Sequence, residues 1–458
     1  MPPTTPSPAI ELYEQVAPPH TADQAMPGSR AWFVLAMLCF VYVLNFLDRQ
    51  LLSILAKPIQ DSLHVSDSQL GLIGGLYFAL FYCLISIPVG WLADRTNRVR
   101  VLSLACAIWS AATMGCGFAA GYPQLVLSRM LVGVGEAGGV PPSYAIISGY
   151  FPPGRRGTAL GLYNLGPPIG QALGIAFGAS IAAAFSWRHA FIALGAVGVF
   201  AALMVLLIVR EPSDRGPKQA PATKPAIPVA APAAPAETSS FWGVMAMFFS
   251  RPSLVLVSLA SGATQFVTYG MINFTALFLM REKAMTLKQI AIYYALVVGI
   301  GMSAGIFASG RAIDRFTRRS KSAYALIPAA GLVLATPFFL GFVWAPTWPL
   351  AIAFLIGPAF FNYFYLSSAV ALVQDEVAPH QRVLSGALLL LIMNLIGLGL
   401  GPTYVGAASD FFRASHPGHS LQFAFYTLLP FYGLAVALFL WLARVLRKES
   451  LTTGASRA

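Results

Sequence analysis

Apolar residues run along this chain in blocks of about twenty or more, separated by short polar stretches. A helix rising 1.5 Å per residue needs about 20 such residues to cross a 30 Å hydrocarbon core. Twelve spanning helices are predicted, at 31–55, 69–93, 100–120, 123–147, 157–184, 189–209, 253–280, 288–310, 323–344, 348–373, 383–409 and 421–443. The third and fourth have the weakest boundary, with only GYPQ between them. A stretch rich in Pro and Ala, PSDRGPKQAPATKPAIPVAAPAAPAETSS at 212–240, splits the twelve into six and six. Such a composition cannot bury a core and behaves as a semi-extended connector. The expected organisation is a disordered tail at 1–30, a six-helix bundle at 31–211, a connector at 212–250, a second bundle at 251–443 and a tail at 444–458. The fold class is therefore an all-α membrane protein of two pseudo-symmetric six-helix bundles.

The two halves repeat. GWLADRTNRVR at 90–100 follows the second span and GRAIDRFTRRS at 310–320 follows the eighth. Gly90 and Gly310, Asp94 and Asp314, and Arg95 and Arg315 match at one offset; Pro153 and Pro379, and Arg156 and Arg382, match at a nearly equal one. Duplication accounts for two such matches in the same topological place. Two halves around a midplane site are what alternating access requires.

Composition agrees with the pattern: 57% of residues are hydrophobic and 10% charged, against about 25% charged in soluble proteins. The net charge of +12 could suggest nucleic acid. The basic residues, however, sit in short loops between spans, where they report topology. Of 29 Lys and Arg, 21 fall in the tails and in the loops after even-numbered spans. Both termini are thus expected in the cytoplasm, in a bacterial inner membrane. The 30-residue start is a poor signal peptide, lacking a basic start and a short apolar core. Cys39, Cys83, Cys106 and Cys116 lie in apolar segments without metal or disulfide spacing, so packing is their expected role.

Four charges break the apolar pattern: Asp48 and Arg49 in the first span, Arg129 and Glu136 in the fourth. Each would cost about 2.5–3.5 kcal/mol near a bilayer centre, so mutual pairing is expected. Asp48 and Arg129 sit at matching depths from one end, and Glu136 lies close to two turns beyond Arg129 on the same face. A carboxylate that takes a proton would release its arginine to hold an anionic group. Proton coupling is thus expected of Asp48 and Glu136, and headgroup or ion-pair contact of Arg49 and Arg129; the competing reading is a static network that fixes helix packing. Gly90, Asp94, Arg95, Asp314 and Arg315 are candidates for a cytoplasmic gate, with each acid at a helix end facing a helix amino terminus. The glycines at 161, 166, 170 and 174 suit close helix packing. Asn45 of the first span, together with Gln265, Tyr269, Asn273, Asn362 and Tyr363 of a second half whose spans carry no charge except at their edges, are candidate cavity-lining residues.

At these residues the chain resembles the major facilitator superfamily, through the G-x-L-A-D-R-x-x-R loop at 90–98 and its weaker second copy. Within it, NFLDR at 45–49, GWLADRTNR at 90–98 and RMLVGVGEA at 129–137 are similar to the spinster lipid-transporter family. Asn97 stands where Gly is more usual, and anion:cation symporter families share much of the first and third segments. The resemblance implies a proton-driven secondary transporter of a lysolipid or sphingolipid-like anion. A symporter of a small organic anion, a receptor or scaffold, and a channel are the alternatives. No P-loop, HExxH motif or other enzyme signature is present, so no cofactor, metal or catalytic residue is expected. The expected partners are the bilayer, protons and the anion, with no nucleic acid and a monomeric state.

Overall fold

The computed structural model describes residues 28–212, 241–378 and 381–455. Most of the expected first tail, connector residues 213–240 and Pro379 lie outside the described residues, and the side chain of Asp94 is also not described. Eleven helices are long and apolar enough to cross a membrane: α1 (Ser29–Ile54), α2 (Asp67–Ala93), α3 (Arg98–Phe118), α5 (Arg155–Ala184), α6 (Trp187–Ile208), α7 (Pro252–Arg281), α8 (Leu287–Phe316), α9 (Ala323–Trp344), α10 (Trp348–Glu376), α11 (Leu384–Arg413) and α12 (Ser420–Glu449). The twelfth, α4, comes in two pieces, Tyr122–Glu136 and Val140–Tyr150, each too short to qualify alone. Its break follows from sequence. Pro141 and Pro142 have no N–H to return to the carbonyls of Ala137 and Gly138. The chain bridges the gap with tighter bonds, Gly138 N to Gly135 O at 3.1 Å and Gly139 N to Glu136 O at 3.0 Å.

Two further helices sit outside the spans. Ala56–Leu63 follows α1, and Phe241–Ser250 occupies the end of the expected connector. The last helix continues to Ala455, through most of the expected tail. Because the spans are even in number, α1 starts and α12 ends on one side, here the near end; the other is the far end.

The repeat reaches further than the loops. Ser66 and Gln69 form a capping box at the start of α2, and Thr286 and Gln289 form one at the start of α8, the same 220 residues apart as Gly90 and Gly310. Each box satisfies two amide groups that a helix start would leave open.

Glycine sets how tightly the first bundle closes. Added Cβ atoms at Gly170 and Gly174 of α5 would each come within 2.8 Å of a Cβ on α1, that of Phe46 and that of Gln50. Gly161, the first of the glycines expected on this face, has nothing within 4 Å. The outer faces stay apolar: Phe200, Leu203, Leu206 and Leu207 of α6 are all exposed, as a lipid-facing helix requires.

Among the described residues, the two bundles meet from mid-depth to the far end. α2 packs on α11, α5 on α8, and α1 on α7. At the near end a Cβ at Gly90 would meet nothing within 4 Å. Asp314 and Arg315 are exposed, and Arg95 lays its guanidinium over its own neighbour Trp91 at 4.2 Å. The expected gate region is therefore parted, and the described side chains there do not bridge the bundles.

Candidate functional site

The four intramembrane charges come together as two crossed pairs. Arg49 Nε donates to Glu136 Oε2 at 2.6 Å, and Arg129 Nη1 lies 3.5 Å from Asp48 Oδ1. The crossing has a geometric cause. Side chains lean toward the amino terminus of their helix. α1 and α4 run in opposite directions, so Arg49 leans toward the near end while Glu136 leans back toward the far end, and they meet. Thr113 of α3 donates to Asp48 Oδ2 at 2.7 Å, adding a third helix. Glycines make room: a Cβ at Gly133 would lie 2.7 Å from Phe78 O, so α4 lies close against α2 there.

Asp48, Arg129 and Glu136 are 1%, 2% and 1% exposed, and the Arg49 side chain 15%, so Arg49 is the member that reaches the central space. Glu136 Oε1 and Arg129 Nε have no hydrogen-bond partner. A buried charge left partly unsatisfied is costly. Aromatic rings supply the alternative partners. Arg49 stands 4.9, 5.2 and 5.1 Å from the ring centres of Phe46, Phe78 and Tyr82, and Arg129 stands 5.4 Å from Phe78. Phe78 thus lies between both guanidinium groups.

From the second bundle, Tyr269 of α7 is half-buried. Asn273 is half-buried, and its backbone carbonyl accepts Ser53 Oγ of α1 at 2.9 Å. Gln265 is buried against Gly397 of α11, and Asn45 is buried one turn before the Asp48–Arg49 pair. Tyr363 is buried with Ile272 and Met302 beneath α8. Asn362 departs from expectation. It turns into the second bundle, where its carboxamide hydrogen-bonds the Tyr432 hydroxyl at 3.0 Å, so it does not line the cavity. The α10 helix breaks at Asn362–Tyr363, which swings neighbouring side chains to opposite sides. A polar residue not singled out from sequence bridges the bundles instead: Gln171 of α5 accepts from Gln50 of α1 within the first bundle at 3.2 Å, and its Nε2 contacts Met302 Sδ of α8 at 3.2 Å.

A mid-membrane ionic cluster at the meeting of two similar six-helix bundles is the arrangement of a secondary transporter. The family model described as Major Facilitator Superfamily matches residues 38–402. This chain belongs to the Major Facilitator Superfamily. It is a multi-pass membrane transporter rather than an enzyme. It is 31% identical over 423 residues to an "MFS-type efflux pump" of Mycolicibacterium smegmatis, covering 92% of this chain and 94% of the relative. It is 26% identical over 383 residues to the hexuronate transporter of Bacillus subtilis, covering 82% of this chain and 87% of that one. Among solved structures it resembles a bacterial homolog of the human lysosomal transporter spinster, in an inward-facing and unoccupied conformation. There the TM-score is 0.82 at 29% identity, covering 92% of this chain and 98% of that one.

The transporter is closed at the far end by a cluster that sequence reasoning missed. Asp67, at the start of α2, is fully buried and holds two arginines of the second bundle, Arg281 at 2.7 Å and Arg413 at 2.9 Å. Ser409 of α11 donates to the same carboxylate at 2.6 Å, and Gln60 Nε2 at 2.5 Å. In return Asp410 accepts from the backbone N–H groups of Asp67 and Ser68 at 3.2 and 2.7 Å, capping α2 from across the interface. The available signal was an acid inside a capping box, S-D-S-Q, paired with an acid and an arginine near the end of α11.

Proposed function

We propose that this transporter carries an amphiphilic anion by alternating access, driven by protons that titrate the Asp48–Arg129 and Arg49–Glu136 pairs. The observation that supports it most is the crossed pairing itself. Neutralising either acid releases an arginine on the other helix, and Arg49 already reaches the central space. A charged site in the first bundle faces aromatic and mildly polar residues in the second, which suits a ligand with a charged head and an apolar body. The likeness to a spinster homolog agrees with a lysolipid-like substrate. The likeness to a hexuronate transporter supports a second reading, a small organic anion carried with protons.

The basic loops support a reading with both termini in the cytoplasm, here of a bacterial inner membrane; in that reading the near end is cytoplasmic and the described state faces inward. Proton entry to the pairs would then be accompanied by exchange between this state and one in which the Asp67 cluster parts. In that reading Gly90, Asp94, Arg95, Asp314 and Arg315 form the near-end gate, which would close when the far end opens; among the described side chains Arg95, Asp314 and Arg315 do not bridge the bundles. The protein acts as a monomer in this reading, since one chain supplies both bundles.

The test is flux in proteoliposomes. Glu136→Gln should abolish proton-linked uptake, by about a hundredfold or more, while the protein still unfolds cooperatively in detergent, at a lowered temperature because Arg49 loses its buried partner. Unchanged flux would defeat the coupling role. Competition between a long-chain lysolipid and a short carboxylate separates the two substrate classes. If neither competes and no flux occurs, a receptor or scaffold gains; flux without saturation would indicate a channel.

A further inference from the structure

A small cavity lies behind Asp48, on the side away from the central space. It occupies about 10 Å³ and is lined by Leu44 and Asp48 of α1, Trp109, Ser110 and Thr113 of α3, and Leu194, Gly195 and Gly198 of α6. That is at the lower limit of the roughly 10–15 Å³ one water needs. Its walls are polar enough to hold one. Ser110 is 2% exposed, and its Oγ has no hydrogen-bond partner. Thr113 Oγ already bonds Asp48 Oδ2. The cavity exists because α6 places glycine there: a Cβ at Gly198 would lie 2.8 Å from Ser110 Cβ.

The same face of α3 carries small polar groups toward the near end. Cys106 bonds Gly198 O at 3.6 Å, and Ser103, two turns before Ser110, is buried with an Oγ that also has no partner. The other groups around Asp48 offer no comparable path. Arg129 is paired to it, Arg49 is committed to Glu136, and no hydrogen bond joins Glu136 or Cys116 to it among the described residues. From α6 the cavity wall is Leu194, Gly195 and Gly198.

We propose that this cavity is a water site held by Ser110 and Asp48, and that Asp48 exchanges its proton through that water along the α3–α6 seam rather than from the central space. The water gives a proton to the Asp48 carboxylate and takes one from the next donor along the seam. Asp48 becomes neutral and Arg129 loses its ionic partner. Ser110 is thus a positioning residue for the proton. The inference rests on the reading of Asp48 as a coupling acid.

The test uses the purified full-length protein in proteoliposomes and infrared difference spectroscopy after a pH jump. The Asp48 carboxyl band is identified by its loss in Asp48→Asn. In Ser110→Ala, which leaves room but removes the hydroxyl, protonation of Asp48 should slow about tenfold, as expected for one lost hydrogen bond. Ser110→Val, which also fills the cavity, should slow it further, and Ser110→Thr should restore part of the rate. Binding of a long-chain lysolipid at fixed pH, read by thermal shift, should not change. Protonation at the wild-type rate in both Ser110→Ala and Ser110→Val overturns the route while leaving Asp48 as a coupling acid. Absence of any Asp48 carboxyl band across the pH range overturns the coupling role and the route together.

Discussion

Arg49 is held by one carboxylate and by rings on two helices. A guanidinium over an aromatic face gains about 0.5–2 kcal/mol, more as water is excluded. The rings of Phe46, Phe78 and Tyr82 can therefore keep Arg49 in place after Glu136 is neutralised, with its charge free for a ligand. Phe78 serves Arg129 as well. Phe78→Leu keeps apolar volume and removes the π face, so substrate affinity should weaken about tenfold, while Phe78→Tyr should retain it. Equilibrium binding at fixed pH checks this, and equal affinity in the two variants would contradict it. At this scale the sequence was readable only where the physical cost was large. Four ionised side chains inside apolar helices announce themselves because each is expensive. Thr113, Ser110, Gln171 and Phe78 do not, since a hydroxyl, an amide or a ring inside a spanning helix resembles ordinary packing. The pattern also placed Asp48 and Arg129 at matching depths with Glu136 on the same face; that their helices are neighbours was implied only by the resemblance to the superfamily. It could not show which acid takes which arginine, because that depends on the lean of side chains on opposed helices.

Twelve spans were readable from apolar length, yet α4 is interrupted between Glu136 and Val140. The interruption places Glu136 at the last residue of an intact helix, with its own carbonyl engaged by Gly139. Restoring a continuous α4 with Pro141→Ala and Pro142→Ala together should turn Glu136 relative to Arg49. The expected result is a folded protein with proton-linked flux reduced about tenfold or more, read in proteoliposomes beside a thermal unfolding curve. Full activity would show that the break has no part in positioning the acid. Similar irregularities mark the second bundle, where π-helical turns occupy Ile290–Tyr294 and Asn394–Leu400. None of these is visible in hydropathy, which averages over a whole span. The 220-residue repeat, by contrast, was legible at the near-end loops and extends to the capping boxes, because a helix start is decided by a few local side chains.

For the whole molecule, the described state is set by contacts between bundles at one end and their absence at the other. Asp67 joins α2 to α7 and α11 through Arg281 and Arg413. Removing one partner of a buried ion pair costs about 3 kcal/mol or more, close to a hundredfold in an equilibrium. Asp67→Asn should therefore shift the transporter toward the state with the far end parted. Spin labels at Asp61 and Lys288, exposed on opposite bundles at that end, should report a longer-distance population that the wild type lacks. An unchanged distance distribution would show that packing alone holds the closure. The sequence pointed to the opposite gate, at 90–95 and 310–315, since that motif is duplicated and basic. The far-end cluster joins residues more than two hundred positions apart, and nothing in local pattern brings them together.

The far-end cluster sets one carboxylate against two guanidinium groups, and the carboxylate belongs to one bundle while both guanidinium groups belong to the other. When that mouth opens, Asp67 leaves with the first bundle: Arg281 gives up its carboxylate partner, while Arg413 keeps Asp410 of its own helix at 3.4 Å. A solute arriving from that side then meets a rim with one fewer acid than before, so the doorway draws anions more strongly while it stands ajar.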